Sequence, residues 1–304
     1  MSTRLPIARA ILEGASCRWT RLEPTDAPST HRVPNNAVDV IRRSVHFDVQ
    51  VASDIYFAHP EKEYHLESSF GPMRLPYPDV WMEWQADDTD GDAIEMAAAI
   101  SERPGHKVNP GEGLMRAEDF RIRFSVFVRI PSVSNDVNMI RLVPYFDVTP
   151  EGRYIPGSRK SVIFNDDGLL EEVAAERAQT LRIGCEESIV TTGLALSLMN
   201  CKNVTTQESG RLNIRRSGAD KRRGITAKSL RYHTIILPGG GSQHEGGSTG
   251  THRASAVHRV RGHFKTFTAD APLMGKHVGT YWWGWQVRGN KDSGMVVSDY
   301  KVGA

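Results

Sequence analysis

The chain has 304 residues, of which 39% are apolar and 24% are charged, and this balance excludes a wholly disordered protein. It holds no run of roughly 18 to 20 apolar residues, as a membrane span requires, and its first residues lack the pattern of a secretory signal. Three cysteines without CxxC spacing exclude a disulfide framework and a common zinc site, so we expect reduced thiols in a cytoplasmic protein.

Positive charge is concentrated in the C-terminal third of the chain. From residue 201 to residue 304 there are 17 Lys and Arg against 6 Asp and Glu, a net charge of +11. The first 200 residues hold 21 basic and 30 acidic side chains, a net charge of −9. This division predicts that the C-terminal third faces a polyanion or docks on an acidic surface of the N-terminal part. A solvated basic surface without a partner is the alternative.

The first elements follow from hydrophobic spacing. Apolar residues at helical spacing predict a short helix that ends near Gly14, and the polar stretch 21–36 is typical of a loop. Alternating apolar residues predict strands over 45–52 and 80–84. The three prolines in 71–78 predict an extended segment that cannot lie inside a sheet.

The strongest single prediction is a strand over 120–130. Six apolar residues alternate there with basic and small polar ones, a period of two that predicts a half-buried strand. Residues 139–148 are its predicted partner, and a turn closes that partner at 149–152.

A helix is predicted over 169–181, where apolar residues form a helical stripe, and a second helix is predicted over 186–199. Beyond them, 207–229 is polar and basic, 230–237 predicts a strand, and the glycine- and serine-rich run 238–251 is typical of a mobile loop.

Three further strands are predicted at 257–267, 279–288 and 295–302. The whole pattern favours an α+β fold, with a largely antiparallel β-sheet and a few flanking helices. We expect an acidic mixed part over 1–203 and a basic, β-rich part over 204–304, or a single continuous domain.

The stretch 257–267 carries the functional hypothesis. If it is one extended strand, alternation places Arg259, Arg261, His263 and Lys265 in a row on one face, about 6.6–6.8 Å apart. The following strand brings the aromatic residues Tyr281, Trp282, Trp283 and Trp285, which suit base stacking beside such a row. The candidate nucleic-acid-binding residues are therefore Arg215, Arg216, Lys221, Arg222, Arg223, Arg259, Arg261, Lys265 and Trp283.

Two other interpretations of this region stay open. The tryptophans can belong to the core, with the basic row paired to carboxylates of the N-terminal part. Six of the eleven histidines also fall between positions 233 and 277, and His233 and His263, expected on neighbouring strands, are candidates for acid–base cleavage of RNA without metal. Their spacing does not fit a metal site, and no cofactor motif is present.

One segment resembles a known group of sequences. It comprises His258-Arg259-Val260-Arg261-Gly262-His263-Phe264-Lys265, then Gly279-Thr280-Tyr281-Trp282-Trp283 and Val287-Arg288-Gly289. About 35 residues are similar to uncharacterised proteins of phages and mobile elements. Those proteins are expected to have a histidine near the final Arg-Gly, where this chain has Gln286. The resemblance implies a phage or mobile-element origin. It gives no activity that could be carried over to this chain.

The sequence thus predicts a phage-associated protein that binds nucleic acid or a nucleoprotein through its cationic strand. One alternative is a metal-independent ribonuclease. The other is a structural or host-inhibiting protein whose basic face binds an acidic surface of another protein. No membrane partner, metal or cofactor is expected.

Overall fold

The computed structural model describes residues 5–19, 36–58, 69–87, 93–105, 116–140, 142–164, 170–171, 188–214, 229–238, 256–260, 262–284, 286–288 and 290–295. The helices in these ranges are α1 (Pro6–Leu12), α2 (Asn36–Arg43), α3 (Gln50–Phe57) and α4 (188–199). The strands are β1 (Cys17–Trp19), β2 (Val45–Asp48), β3 (Asp79–Asp87), β4 (Ala93–Pro104), β5 (Phe120–Arg129), β6 (Val137–Met139), β7 (Leu142–Val148), β8 (Lys160–Phe164), β9 (Leu170–Glu171), β10 (Thr205–Asn213), β11 (Ser229–Ile236), β12 (Ala256–Val260), β13 (His263–Phe267), β14 (Gly279–Trp283), β15 (Gln286–Arg288) and β16 (Asn290–Met295).

A large mixed sheet organises the molecule. Its strands follow the order β10-β11-β2-β3-β4-β5-β7-β8-β9, with β6 beside β5 and β1 beside β6. Strand β2 runs parallel to both β11 and β3, and β1 runs parallel to β6, whereas the other pairs of this sheet are antiparallel. Two small sheets, β15-β12-β16 and β13-β14, lie outside it. The fold is therefore α+β with a largely antiparallel sheet, as the sequence predicts.

Alternation along the central strands builds a separate core on each face of the sheet. Val80 and Met82 point to the first core, which α3 and α4 cover, and Trp81 between them points to the second core, under α1 and α2. Strand β5 behaves in the same way, with Phe124 in the first core and Phe127 in the second. Helices thus cover both faces, and the central strands are buried on both sides.

This two-sided burial corrects the prediction of a half-buried strand at 120–130. Strand β5 spans Phe120–Arg129 as expected, but its basic face is covered as well. Arg121 is only 6% exposed and donates from Nε to Asp147 Oδ1 at 2.8 Å and from Nη2 to Oδ2 at 3.2 Å. Arg129, which is half-buried, donates from Nε to Oε2 of Glu95 on the opposite neighbouring strand. Basic residues that indicate a solvent-exposed face in the sequence, Arg121 and Arg129, are instead paired with carboxylates of neighbouring strands.

Other predictions differ from the structure at element boundaries. The strand predicted over 45–52 ends at Asp48, and residues 50–57 continue as α3. The helix predicted from 169 is wrong at its start, because Leu170–Glu171 pairs with β8 as a strand, and 172–187 lie outside the described residues. The first residues of the polar stretch 207–229 lie in β10. The loops 21–36 and 238–251 fall almost entirely outside the described residues.

Helix α4 is buried along nearly its whole length. The sheet covers one side, and the extended segment 69–75 covers another, where Ser197 Oγ donates to the carbonyl of Gly71 at 3.3 Å. Asn200 Nδ2 also donates to the carbonyl of Arg74 at 2.8 Å. These contacts explain why 71–78 is extended and lies outside the sheet, as its prolines predict. Among the helices that the structure describes, none has the length and apolar character needed to cross a membrane.

Candidate nucleic-acid interface

Strands β13 and β14, with their connection 268–278, form a hairpin that we call the C-terminal hairpin. His263 lies opposite Trp283, Lys265 opposite Tyr281, and Phe267 opposite Gly279. Each cross-strand pair is two residues from the next, so successive rows of side chains are about 6.6–6.8 Å apart. The face that carries these rows is called the outer face.

The inner face of the hairpin fixes it to the rest of the molecule. Trp282 is 4% exposed and belongs to the first core, and its ring lies 4.8 Å from the ring of Phe264 between centroids. Asn203 clamps the backbone of Trp282, because its Oδ1 accepts the amide N–H at 2.9 Å and its Nδ2 donates to the carbonyl at 2.8 Å. The amide of Lys202 donates to the carbonyl of Thr280 at 2.8 Å. The hairpin is therefore a fixed platform.

The outer face combines aromatic rings with basic side chains. Lys265 and His263 are exposed, while Phe267, Tyr281 and Trp283 are half-buried. The ammonium group of Lys265 lies 5.0 Å from the centroid of the Phe267 ring and 6.0 Å from that of Trp283. Phe267 and Tyr281 meet edge to face at 5.8 Å. Among the described residues, no carboxylate forms an ion pair with Lys265.

The single strand predicted over 257–267 is wrong, because the structure divides it into β12 and β13. The two pieces nevertheless keep one register. Val260 lies opposite Gln286 and His263 opposite Trp283, a step of three residues on each strand, so the same ladder would pair Gly262 with Gly284. The predicted strand over 279–288 divides at the same level, into β14 and β15.

Gly262, which lies between β12 and β13, packs against the indole ring of Trp282. A Cβ built on this glycine would lie 2.6 Å from Cζ2 and 2.7 Å from Cη2 of the Trp282 indole. The backbone thus passes directly against the ring, in space that only a glycine leaves free. Sequence alternation cannot show this contact, since it depends on a neighbouring strand.

The predicted nucleic-acid-binding residues fall into three groups. Lys265 and Trp283 lie together on the outer face, as the prediction requires. Arg259 lies in β12 opposite Val287, and its side chain is not among those described. The remaining predicted residues lie outside the described part of the chain: Arg215, Arg216, Lys221, Arg222, Arg223 and Arg261.

The histidine pair proposed for RNA cleavage is not on neighbouring strands. His263 lies in β13, which pairs with β14, whereas His233 lies in β11 between β10 and β2. His233 is half-buried, with its ring centroid 5.3 Å from that of Phe47 and its Nδ1 3.4 Å from the carbonyl oxygen of His46. Burial lowers the pKa of adjacent His46 to about 4, so that ring is neutral at physiological pH.

Phe267 of the outer face is not among the predicted residues, and Tyr281 is predicted as a stacking ring but is not placed in the candidate set. Both are visible in the sequence at alternate positions with Lys265 and Trp283, so hairpin register is the signal that would have found them. In the part of the chain that the structure describes, no group of three or more His, Cys, Asp or Glu side chains is arranged to hold a metal ion.

Comparisons of this chain with protein-family models, with curated proteins and with solved structures gave no match. The resemblance of the C-terminal segment to phage and mobile-element proteins stays a prediction.

Proposed function

We propose that this protein binds single-stranded nucleic acid through the outer face of the C-terminal hairpin. The main support for this proposal is the position of the Lys265 ammonium group between the rings of Phe267 and Trp283. Single-strand binders combine these two elements, aromatic rings for the bases and positive charge for the backbone.

The geometry suits an extended strand. Trp283, Tyr281 and Phe267 stand in three successive rows of the hairpin, so neighbouring rings are one row apart. Tyr281 and Phe267 meet edge to face at 5.8 Å, so bases would stack on Trp283 and on the outward side of this aromatic pair, not between its two rings. Lys265 stands in the middle row, where its charge reaches a phosphate between two such bases. Stacking of this kind depends little on base identity, so we expect weak sequence preference.

The fixed inner face supports the same proposal. Trp282 and the Asn203 clamp hold the hairpin before any ligand arrives, so little conformational entropy is lost on binding. The net charge of +11 over residues 201–304 adds long-range attraction for a polyanion. We place this binding in the cytoplasm, since Cys17 and Cys201 are unpaired, and we associate it with a phage or mobile element.

Fluorescence titration with single-stranded DNA and RNA over a range of salt concentrations tests the proposal. Trp283→Ala is expected to weaken binding about 5- to 150-fold, from about 1–3 kcal/mol for one stacked base. It should leave the dependence of affinity on salt unchanged. Lys265→Ala is expected to weaken binding and to reduce the slope of log K against log salt by about 0.7, because one phosphate contact is lost.

Two matched variants control for loss of any exposed ring or charge. Tyr77 is an exposed aromatic residue outside the hairpin, and Arg42 is an exposed cation on α2, which packs on the opposite face of the sheet. Tyr77→Ala and Arg42→Ala should bind as the wild type does. Affinity that does not change with salt concentration, or an equal loss of affinity in all four variants, contradicts the proposal and favours a protein partner.

Cleavage of RNA in the same samples would revive the ribonuclease alternative if that cleavage is lost in His263→Ala.

A further inference from the structure

The far end of the C-terminal hairpin presents an apolar side chain to solvent. Leu273 and His277 exchange backbone hydrogen bonds of 2.8 and 3.0 Å, and the residues between them form a tight turn that we call the tip. Met274 in this turn is 86% exposed, the most exposed large apolar side chain among the described residues. Val278, just beyond the tip, is 49% exposed.

Neither conformation nor packing accounts for a methionine at this position. The amide of Lys276 donates to the carbonyl of Leu273 at 3.1 Å and closes a four-residue turn. The two central residues of this turn have positive φ, 52° at Met274 and 73° at Gly275. Such turns favour Asn or Asp before Gly, because a longer side chain is unfavourable at positive φ. The backbone of Met274 is strained, and its side chain, 86% exposed, stabilises nothing within the described chain. Such a combination points to a role in binding.

The surroundings of Met274 indicate the kind of partner. Lys276 and His277 are exposed beside it, and Lys265 stands further along the same hairpin on the outer face. Asp270 is the one acidic residue between positions 263 and 283. Apolar side chains flanked by cations are used by nucleic-acid-binding proteins as wedges that insert between stacked bases.

We propose that Met274 is a wedge that opens the end of a duplex, so that the preferred ligand is a junction between double-stranded and single-stranded nucleic acid. This inference rests on the proposed function. The released strand lies along the outer face, on the rings of Phe267, Tyr281 and Trp283, while Met274 stacks on the terminal base pair. Lys276 contacts the phosphate at the junction. One methionine and one valine expose too little apolar surface to anchor the protein to a membrane.

A forked DNA duplex with 2-aminopurine at the base pair next to the fork tests the wedge. The wild-type protein is expected to bind the fork more tightly than a single strand of equal length, and to raise the 2-aminopurine fluorescence as that base unstacks. Met274→Asn suits the positive φ and removes the apolar side chain. It should melt at the same or a higher temperature, keep its affinity for the single strand, and lose both the fork preference and the fluorescence rise.

Met274→Leu is the matched control, since it keeps an apolar side chain under the same strain, and it should retain the fork preference. The wedge is overturned if the wild type binds fork and single strand equally, or if Met274→Asn keeps the fluorescence rise. In both cases, single-strand binding by the outer face still stands. Failure to bind either DNA overturns the proposed function together with the wedge. Sedimentation with anionic vesicles that depends on Met274 also overturns the wedge, in favour of a membrane contact.

Discussion

At the scale of single residues, the most consequential buried group is Glu83. It is 2% exposed in a central strand, and its carboxylate accepts the amide N–H groups of Ile7 and Ala8 at 2.8 Å each and the indole N–H of Trp81 at 2.6 Å. One carboxylate thus satisfies two donors at the start of α1 and holds that helix on the sheet. Burial outweighs these hydrogen bonds and raises the pKa of Glu83 to about 7.

This raised pKa predicts a pH dependence of stability. Because the folded pKa of about 7 lies above the ordinary value of 4.5, protonation favours the folded state. The contribution of Glu83 to the free energy of unfolding is complete below pH 4.5 and is lost as the pH rises through about 7. This contribution amounts to about 3 kcal/mol in total. Glu83→Gln cannot ionise, so its free energy of unfolding should not show this fall.

Urea unfolding of wild type and Glu83→Gln at pH 5, 7 and 8.5 measures the effect. The difference between the two proteins cancels other titrating groups, and Glu118→Gln, exposed at the start of β5, controls for loss of a carboxylate. A difference that stays constant over this pH range would contradict a buried, titrating Glu83.

At the scale of elements, the C-terminal hairpin is held by packing on one face and left open on the other. The same strand contributes Trp282 to the core and Trp283 to the outer face, so the tryptophans serve both interpretations that the sequence left open. The alternation of a strand makes this possible, since successive side chains point to opposite sides. The backbone of Gly262 passes close to the Trp282 ring, so this position requires a glycine.

The two glycines that face each other across this break give a matched test. Gly262→Ala is expected to destabilise the protein by about 1–3 kcal/mol, because the new methyl group would displace the Trp282 ring. Gly284→Ala meets no atom closer than 3.9 Å and should change stability by less than about 0.5 kcal/mol. Thermal unfolding and tryptophan emission report both effects. Equal stability of the two variants would show that the backbone does not pass against the ring.

At the scale of the whole molecule, the acidic and basic parts of the chain share one sheet. Strands β10 and β11 lie beyond residue 203, yet β11 pairs in parallel with β2 of the acidic part. The basic part also supplies Trp282 and Ile235 to the first core. The charge division at about residue 200 therefore does not coincide with a gap in the hydrophobic core.

This arrangement predicts that a fragment of residues 1–203 does not fold on its own. Its loss of β11 would expose the edge of β2, and its loss of the hairpin would uncover part of α4. We expect this fragment to aggregate or to lack a cooperative thermal transition, measured by circular dichroism beside the full chain. A fragment that melts cooperatively near the temperature of the full chain would establish two separate domains.

Much of the fold follows from the sequence because it depends on local periodicity. The strand predicted from the period of two between 120 and 130, the helix predicted over 186–199 and the extended segment predicted at 71–78 are each present in the structure, the helix over the described residues 188–199. The same periodicity could not show that β5 is covered on its basic face. That burial depends on Asp147 and Glu95, which come from strands 26 and 34 residues away.

By itself, the sequence determined the α+β class, the types of several elements, the charge division and the choice of Lys265 and Trp283 as candidate binding residues. Only the tertiary structure decided that the cationic strand is divided into β12 and β13, that His233 and His263 are not strand neighbours, and that Phe267 shares the outer face with Tyr281. The physical reason is that alternation assigns a side chain to a face, whereas packing against distant residues decides which face meets solvent.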